Sequence, residues 1–262
     1  MFSNQKSKIS IILPTFNSEN YVKNTLQSIL SQNYKNYELI IIDNISTDNT
    51  INIINSYKKK IKLKIIQKKT KNLAEALNIG INESSGEFIA RIDADDLVRK
   101  KRFSKRVAFL ERNTDYDIVG TNAFRFKNNI IFVKPFLINY DDILLKISMI
   151  FNSPFIHPSI MIRKKFIDNN NINYNDKFDE CEDYELWLKL SPHINVLMLE
   201  DVLGTYVQRE GNITSGSIIP KYKNIYKIAW SYSHYTNNFG IIKKMVLISL
   251  RFFRDSVNKC FT

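Results

Sequence analysis

The chain has 262 residues, 44% hydrophobic and 12% aromatic, which is enough apolar surface for a sizeable core and excludes a disordered or collagen-like chain. That length exceeds the usual ~100–200 residues of one domain, so one large α/β domain, or one domain with an appendage, fits best. A net charge of +12 points to an anionic partner, be it nucleic acid, a membrane surface or a phosphorylated substrate; chain-wide abundance of lysine is the compositional alternative.

Taken in order, the first ten residues are polar with two lysines and have no apolar core of a signal sequence, so a cytoplasmic protein is expected. Lys8–Leu13 and Tyr37–Asp43 are short β-branched runs that read as buried parallel strands. Between them Val22, Leu26, Ile29 and Leu30 recur on one helical face, which completes a βαβ unit. The pattern repeats with a helix over 47–58, a strand over 63–67 and a helix whose face is Leu73, Ala76, Leu77, Gly80 and Ile81. A strand over 87–92 then runs into Asp93-Ala94-Asp95-Asp96. A doubly wound sheet follows, with its ligand at the carboxyl ends of the strands.

Beyond this point Phe103, Val107 and Leu110 mark a helix, 118–121 a strand, and 124–133 a hairpin turning at Lys127-Asn128-Asn129. Strands over 159–162, 196–199 and 203–207 and a helix over 183–190 complete the body. Composition shifts near Pro220, after which residues 221–262 hold eight Lys or Arg against Asp255 alone. No run approaches the ~20 apolar residues of a membrane span. Cys181 and Cys260 supply neither a disulfide scaffold nor paired zinc ligands.

Three acidic clusters fall at predicted strand or helix ends: Asp43, the Asp93/Asp95/Asp96 group and Glu182-Asp183. Carboxylates gathered on one edge of an α/β sheet can hold a divalent cation through oxygen. The sequence contains neither a P-loop nor a dinucleotide fingerprint, so a cation is the expected partner of any bound diphosphate. The same acids also serve as Asx turns and helix caps.

Five blocks in order, SIILPTFN (10–17), IIDNISTDNT (41–50), GEFIARIDADD (86–96), FIHPSIMIR (155–163) and CEDYELWLKL (181–190), resemble family 2 glycosyltransferases over roughly residues 8–215. The resemblance implies an α/β GT-A fold, Rossmann-like and mostly parallel, flanked by helices; the composition shift near Pro220 adds a helical basic tail. Together these give a catalytic domain over 1–220, its nucleotide-sugar half about 1–120 and its acceptor half about 121–220, followed by the tail over 221–262. The reaction implied is inverting transfer of a hexose from a UDP-sugar to a saccharide hydroxyl, lipid-linked or free, in surface polysaccharide or lipopolysaccharide synthesis, with Mn²⁺ or Mg²⁺.

Residue by residue, Asp95 is the expected metal ligand, and Asp93 contacts the ribose or shares the metal. Asp183 matches the general base that a sugar hydroxyl requires, with Glu182 orienting it or binding acceptor hydroxyls and Trp187 stacking on the acceptor or packing in the core. Pro14, Phe16, Asp43 and Asn44 are expected at the donor base, with Asp43 holding its loop as the alternative; relatives commonly read Asp-Asp where this chain has Asp43-Asn44. Thr15 and Glu19 lie in the same region. His157 touches donor phosphate or acceptor, or is structural. Arg209 stands in a segment where relatives often carry a histidine, and pairs with phosphate.

The rivals are a sugar-nucleotide nucleotidyltransferase, which would release pyrophosphate, and a basic nucleic-acid-binding protein, which would lack the specific acidic clusters. In the tail over 241–260, Lys243, Lys244, Arg251 and Arg254 share one helical sector opposite Ile241, Met245, Ile248 and Phe252. That pattern predicts peripheral docking on the anionic inner face of the membrane, with packing on the protein body or on a second copy of the chain as the alternative.

Overall fold

The computed structural model describes residues 6–127, 130–134, 153, 155–178, 180–190, 194–207, 218–232 and 248–249. The chain forms two compact units, one from Met1–Ile138, Phe155–Asn173 and Ile194–Gln208, the other from Asn139–Pro154, Tyr174–His193 and Arg209–Thr262.

The first unit is built on one mixed sheet. Its strands are β1 (Ile9–Thr15), β2 (Tyr37–Asp43), β3 (Leu63–Gln67), β4 (Phe88–Arg91), β5 (Leu97–Val98), β6 (Ile118–Lys127), β7 (Ile130–Lys134), β8 (Met161–Arg163) and β9 (Val196–Val207). They lie in the order β3-β2-β1-β4-β8-β6-β9-β5, with β7 paired to β6. From β3 to β4 every pairing is parallel, as βαβ connections require. At β8 the sheet turns antiparallel to both neighbours, and β9 returns parallel to β6.

Helices cover both faces. α1 (Val22–Leu30), α2 (Thr50–Asn55) and α4 (Arg102–Arg112) lend Leu26, Ile29, Ile54, Phe103, Val107 and Leu110 to a core with Ile9, Ile11, Leu13, Leu39 and Ile41. Alternate residues of a strand face opposite sides, so Ile12 and Ile42 look the other way, toward α3 (Leu73–Asn82). There Gly80 lets the helix touch the sheet: a Cβ at that position would lie 2.4 Å from Ile12 Cγ2. Asn72 caps α3 by accepting the Glu75 N–H at 3.2 Å. Each fully buried Leu or Ile in these layers is worth about 1.5–3 kcal/mol.

In the second unit α6 (Glu182–Leu190) and α7 (Ile218–Ser231) share a core of Cys181, Tyr184, Leu188, Tyr222, Ile225, Ile228 and Ile248. A short helix α5 (Lys164–Asn169) belongs to the first unit. Ile248, expected on the membrane-facing side of the tail, is instead 1% exposed in the core with α7, and the Tyr226 and Ser249 hydroxyls meet. That is the packing alternative at this position. The remainder of the expected tail helix lies outside the described residues. Among the described residues no helix is long and apolar enough to cross a membrane.

Candidate active site

Parallel β1 and β2 end together, Thr15 paired with Asp43, and the acids after β4 emerge on β1's other side. The carboxyl edge of the parallel strands therefore carries Asp43 and the 93–96 turn in one unit.

Asp43 is fully buried. One of its oxygens accepts the Ser46 N–H at 2.9 Å and faces Gln67 Nε2 at 3.5 Å, while the other accepts the Ser46 hydroxyl. The carboxylate thus ties down the loop that leaves β2. Asn44 donates its N–H to the Thr15 carbonyl at 2.9 Å. Its side-chain oxygen, the atom expected to accept from a nucleobase, accepts the Thr70 N–H at 2.8 Å. An amide oxygen has two lone pairs, so one remains for a ligand.

The β1–α1 and β2–α2 loops are laced together. Asn17 N–H donates to Ser46 Oγ at 2.9 Å, and Asn17 Oδ1 accepts the Thr47 N–H at 2.9 Å. Glu19 Oε2 accepts the Asn49 N–H at 2.8 Å, so Glu19 and Asn17 bridge loops. Pro14 lies within β1. Phe16, just past it, is 56% exposed and offers its ring to solvent.

Asp93 forms a two-pronged pair with Arg91, Nε to Oδ1 at 2.9 Å and Nη2 to Oδ2 at 3.3 Å. Residues i and i+2 of an extended segment share a face, so the partner of Asp93 was readable two positions upstream, yet sequence reasoning missed it. Asp96 is buried, and burial first, then the charges of Asp93 and Asp95, push its carboxyl well above the ordinary range. Asp95 is half-buried.

His157 opens a short 3-10 turn, His157–Ser159, in the same unit. Burial, then the Arg91 charge, pushes its imidazole well below the ordinary value, so it is neutral near pH 7. Two arginines of α4, which the sequence reading did not single out, hold this turn. Arg106 Nη1 donates to the Ser159 carbonyl at 2.8 Å and Arg102 Nη2 to the Pro158 carbonyl. Burial pushes Arg102 down to about 10, against the opposing charges of Asp96 and Asp93. Asp93, Arg91, Asp96, Arg102 and the His157 turn therefore form one electrostatic group.

The second unit holds Glu182, Asp183 and Trp187 on α6. Asp183 is half-buried, and its Oδ1 accepts the Tyr184 N–H at 2.7 Å. Glu182 is 7% exposed. Acids in a first helical turn are also favoured by the helix dipole. Trp187 is 0% exposed, which is the core-packing place and leaves no ring face for a sugar. Arg209 lies outside the described residues.

Among the described residues no three His, Cys, Asp or Glu side chains gather to hold a cation by themselves. A cation that arrives with a diphosphate does not need three, since one or two carboxylates complete a shell of phosphate oxygens and water. Asp95 and Asp93 fit that use, with Asp93 already steadied by Arg91.

The mixed sheet, with acids at the end of its parallel strands and helices on both faces, is an α/β fold that matches GT-A glycosyltransferases of known structure. Residues 10–171 match the family described as glycosyl transferase family 2, and the chain belongs to that family. It is 36% identical over 194 residues to the putative glycosyltransferase EpsE of Bacillus subtilis, covering 71% of this chain and 67% of that protein. It is 32% identical over 182 residues to the poly(ribitol-phosphate) β-N-acetylglucosaminyltransferase TarP of Staphylococcus aureus, covering 67% of this chain but 55% of TarP. Among solved structures, TarS 1–349 of S. aureus in complex with UDP-GlcNAc superimposes with TM-score 0.71 at 24% identity, covering 85% of this chain and 66% of that one. A mannosyltransferase from Pyrobaculum calidifontis in complex with GDP-Man and Mn²⁺ gives TM-score 0.66 at 16% identity, covering 87% of this chain and 64% of that one. The chain thus spans about two thirds or less of the length of these proteins.

Proposed function

We propose that this chain is an inverting glycosyltransferase that moves a hexose from a UDP-sugar to a saccharide hydroxyl, lipid-linked or within a chain, during surface polysaccharide synthesis. The observation that carries the reading is the acid-tipped edge of β1, β2 and β4, where Phe16 lies open and Asp93 and Asp95 follow the strand end. The names of the relatives, a poly(ribitol-phosphate) β-N-acetylglucosaminyltransferase and a protein in complex with UDP-GlcNAc, support a UDP-linked donor and a polymer acceptor.

In the proposed step the acceptor oxygen bonds to the anomeric carbon while the bond from that carbon to the diphosphate oxygen breaks on the opposite side. Asp183 accepts the hydroxyl proton as the new bond forms, because a sugar hydroxyl is far too weak an acid to lose it unaided. Asp95 and Asp93 would hold Mn²⁺ or Mg²⁺, which when bound offsets the charge gathering on the departing diphosphate. Arg91 keeps Asp93 aimed. His157, neutral and buried beside Arg91, donates or accepts a hydrogen bond without adding charge.

Purified chain with Mn²⁺, offered a panel of UDP- and GDP-sugars, is expected to release UDP from one of them. Release of pyrophosphate instead, or turnover of GDP-sugars alone, would overturn the reading. Asp183→Asn is nearly isosteric and should keep UDP affinity while kcat falls ~10²–10⁴-fold; lost UDP binding with high residual turnover would remove Asp183 from this role.

A further inference from the structure

Among the hydrogen bonds that link the end of β1 and its loop to the loop after β2, two bracket positions 16 and 45. The Asn44 N–H donates to the Thr15 carbonyl, and the Asn17 N–H to Ser46 Oγ, each at 2.9 Å. Between these rungs stand Phe16 on one loop and Ile45 on the other, so their backbones are held side by side at the carboxyl edge. Neither side chain is packed away: Phe16 is 56% and Ile45 47% exposed, the two largest exposures of bulky apolar side chains among the described residues of the first unit.

Ile45 is costly in a second way. Its φ is +54°, a left-handed backbone that a β-branched residue adopts only where its surroundings compel it. They do so here through Asp43, which holds Ser46, and through Asn44, which holds Thr70. Asn17, across the rungs at φ +45°, has the residue type that tolerates such a backbone. Glycine or asparagine at position 45 would take it with little strain and leave no apolar surface in water.

We infer that Ile45 is a specificity-determining contact for the donor nucleobase, its side chain forming with the Phe16 ring an apolar slot for a flat heterocycle. The inference rests on the glycosyltransferase reading above and adds Ile45 to it. The sheet order supports this placement. β1 lies between β2 and β4, so the slot over β1 and β2 sits one to two strand spacings, roughly 5–10 Å, from the Asp93–Asp95 turn after β4. A base in the slot leaves the polar ribose and diphosphate running toward the acids, where charge is neutralised. The slot reads apolar faces, and the second lone pair of Asn44 Oδ1 remains for an edge.

The test uses the full chain with Mn²⁺ and two probes, UDP and inorganic pyrophosphate, which lacks the base. Ile45→Asn should weaken UDP about tenfold, the low end of the range for losing an aliphatic pocket contact, leave pyrophosphate affinity unchanged, and hold or raise the melting temperature. Ile45→Gly should behave alike, and Ile45→Val should keep UDP affinity within about twofold. The inference is overturned if both strain-relieving variants bind UDP as the wild type does, or if UDP and pyrophosphate weaken by the same factor. Wild-type protein that binds neither UDP nor GDP would overturn the glycosyltransferase reading itself.

Discussion

At the amino end of β2, Glu38 accepts Ser10 Oγ at 2.6 Å, the Ser85 N–H at 2.9 Å, Ser85 Oγ at 2.8 Å and Lys8 Nζ at 2.7 Å. Burial pushes its carboxyl up, but the Lys8, Ser10 and Ser85 donors outweigh it and hold Glu38 down at about 2. At the carboxyl end of the same strands the picture reverses. Asp43 is also satisfied, yet the loop it holds carries a left-handed isoleucine; an exposed phenylalanine stands beside that loop, and a turn of three aspartates lies beyond β1. One end of the sheet spends its polar groups on stability. At the other they maintain strain, open apolar surface and like charges in proximity, conditions that persist where a ligand is to be met.

The largest expected effect tests that division from the ligand side. Asp95→Asn should cost ~10²–10³-fold in kcat/KM, the scale of losing one electrostatic contact to a developing charge, with circular dichroism and melting temperature unchanged. Excess EDTA should abolish the wild-type activity. Full activity in EDTA would remove the metal from the reading, and an unfolded Asp95→Asn would mean that this edge is structural like the other.

Glu38→Gln is the mirror experiment, smaller and on stability. Gln keeps one acceptor but loses the charge that strengthens bonds to Lys8 and Ser85, a cost of about 1–2 kcal/mol, while turnover per folded molecule stays at the wild-type level. The pH dependence has a definite sign. Glu38 in the fold sits below its ordinary value of 4.5, so its contribution is complete above that value and fades as pH falls toward about 2. Denaturant midpoints of wild type and variant should differ at pH 7 and converge on acidification. A constant gap down to pH 3 would assign the effect to packing.

The parallel half and the β6–β7 hairpin were legible because their rules are local. β2 and β3 begin and end where the β-branched runs do, and the hairpin over 124–133 leaves Lys127 and re-enters at Ile130 as its Asn-Asn turn suggests. Elsewhere the reading depended on partners distant in sequence. Two strands expected over 196–199 and 203–207 are one, β9, because β6 shifts register between Thr121 and Ala123 and absorbs the polar Glu200-Asp201 interruption. β5 and α5 are too short for periodicity to mark. The helix expected over 47–58 is only Thr50–Asn55, since Ser46 and Thr47 serve the loop lacing instead. In the site, residue types were readable from motif spacing, but their commitments were not: nothing local to Asn44 announces that its side chain meets Thr70, 26 residues on.

That contact sets the smallest prediction. Asn44→Asp keeps an oxygen where the Thr70 N–H needs one, so the loop after β3 stays in place and no backbone donor is orphaned. The change is confined to the rest of the group, where an amide N–H₂ becomes a second acceptor oxygen. If the base offers Asn44 an N–H, as the uracil imide does, the carboxylate accepts it more strongly, and UDP affinity should hold or improve by about threefold, by titration calorimetry. If the amide nitrogen is instead donating to a carbonyl of the base, the same substitution replaces attraction by repulsion between two oxygens. UDP binding then falls. The sign of the change in Asn44→Asp therefore reports which edge of the base meets Asn44.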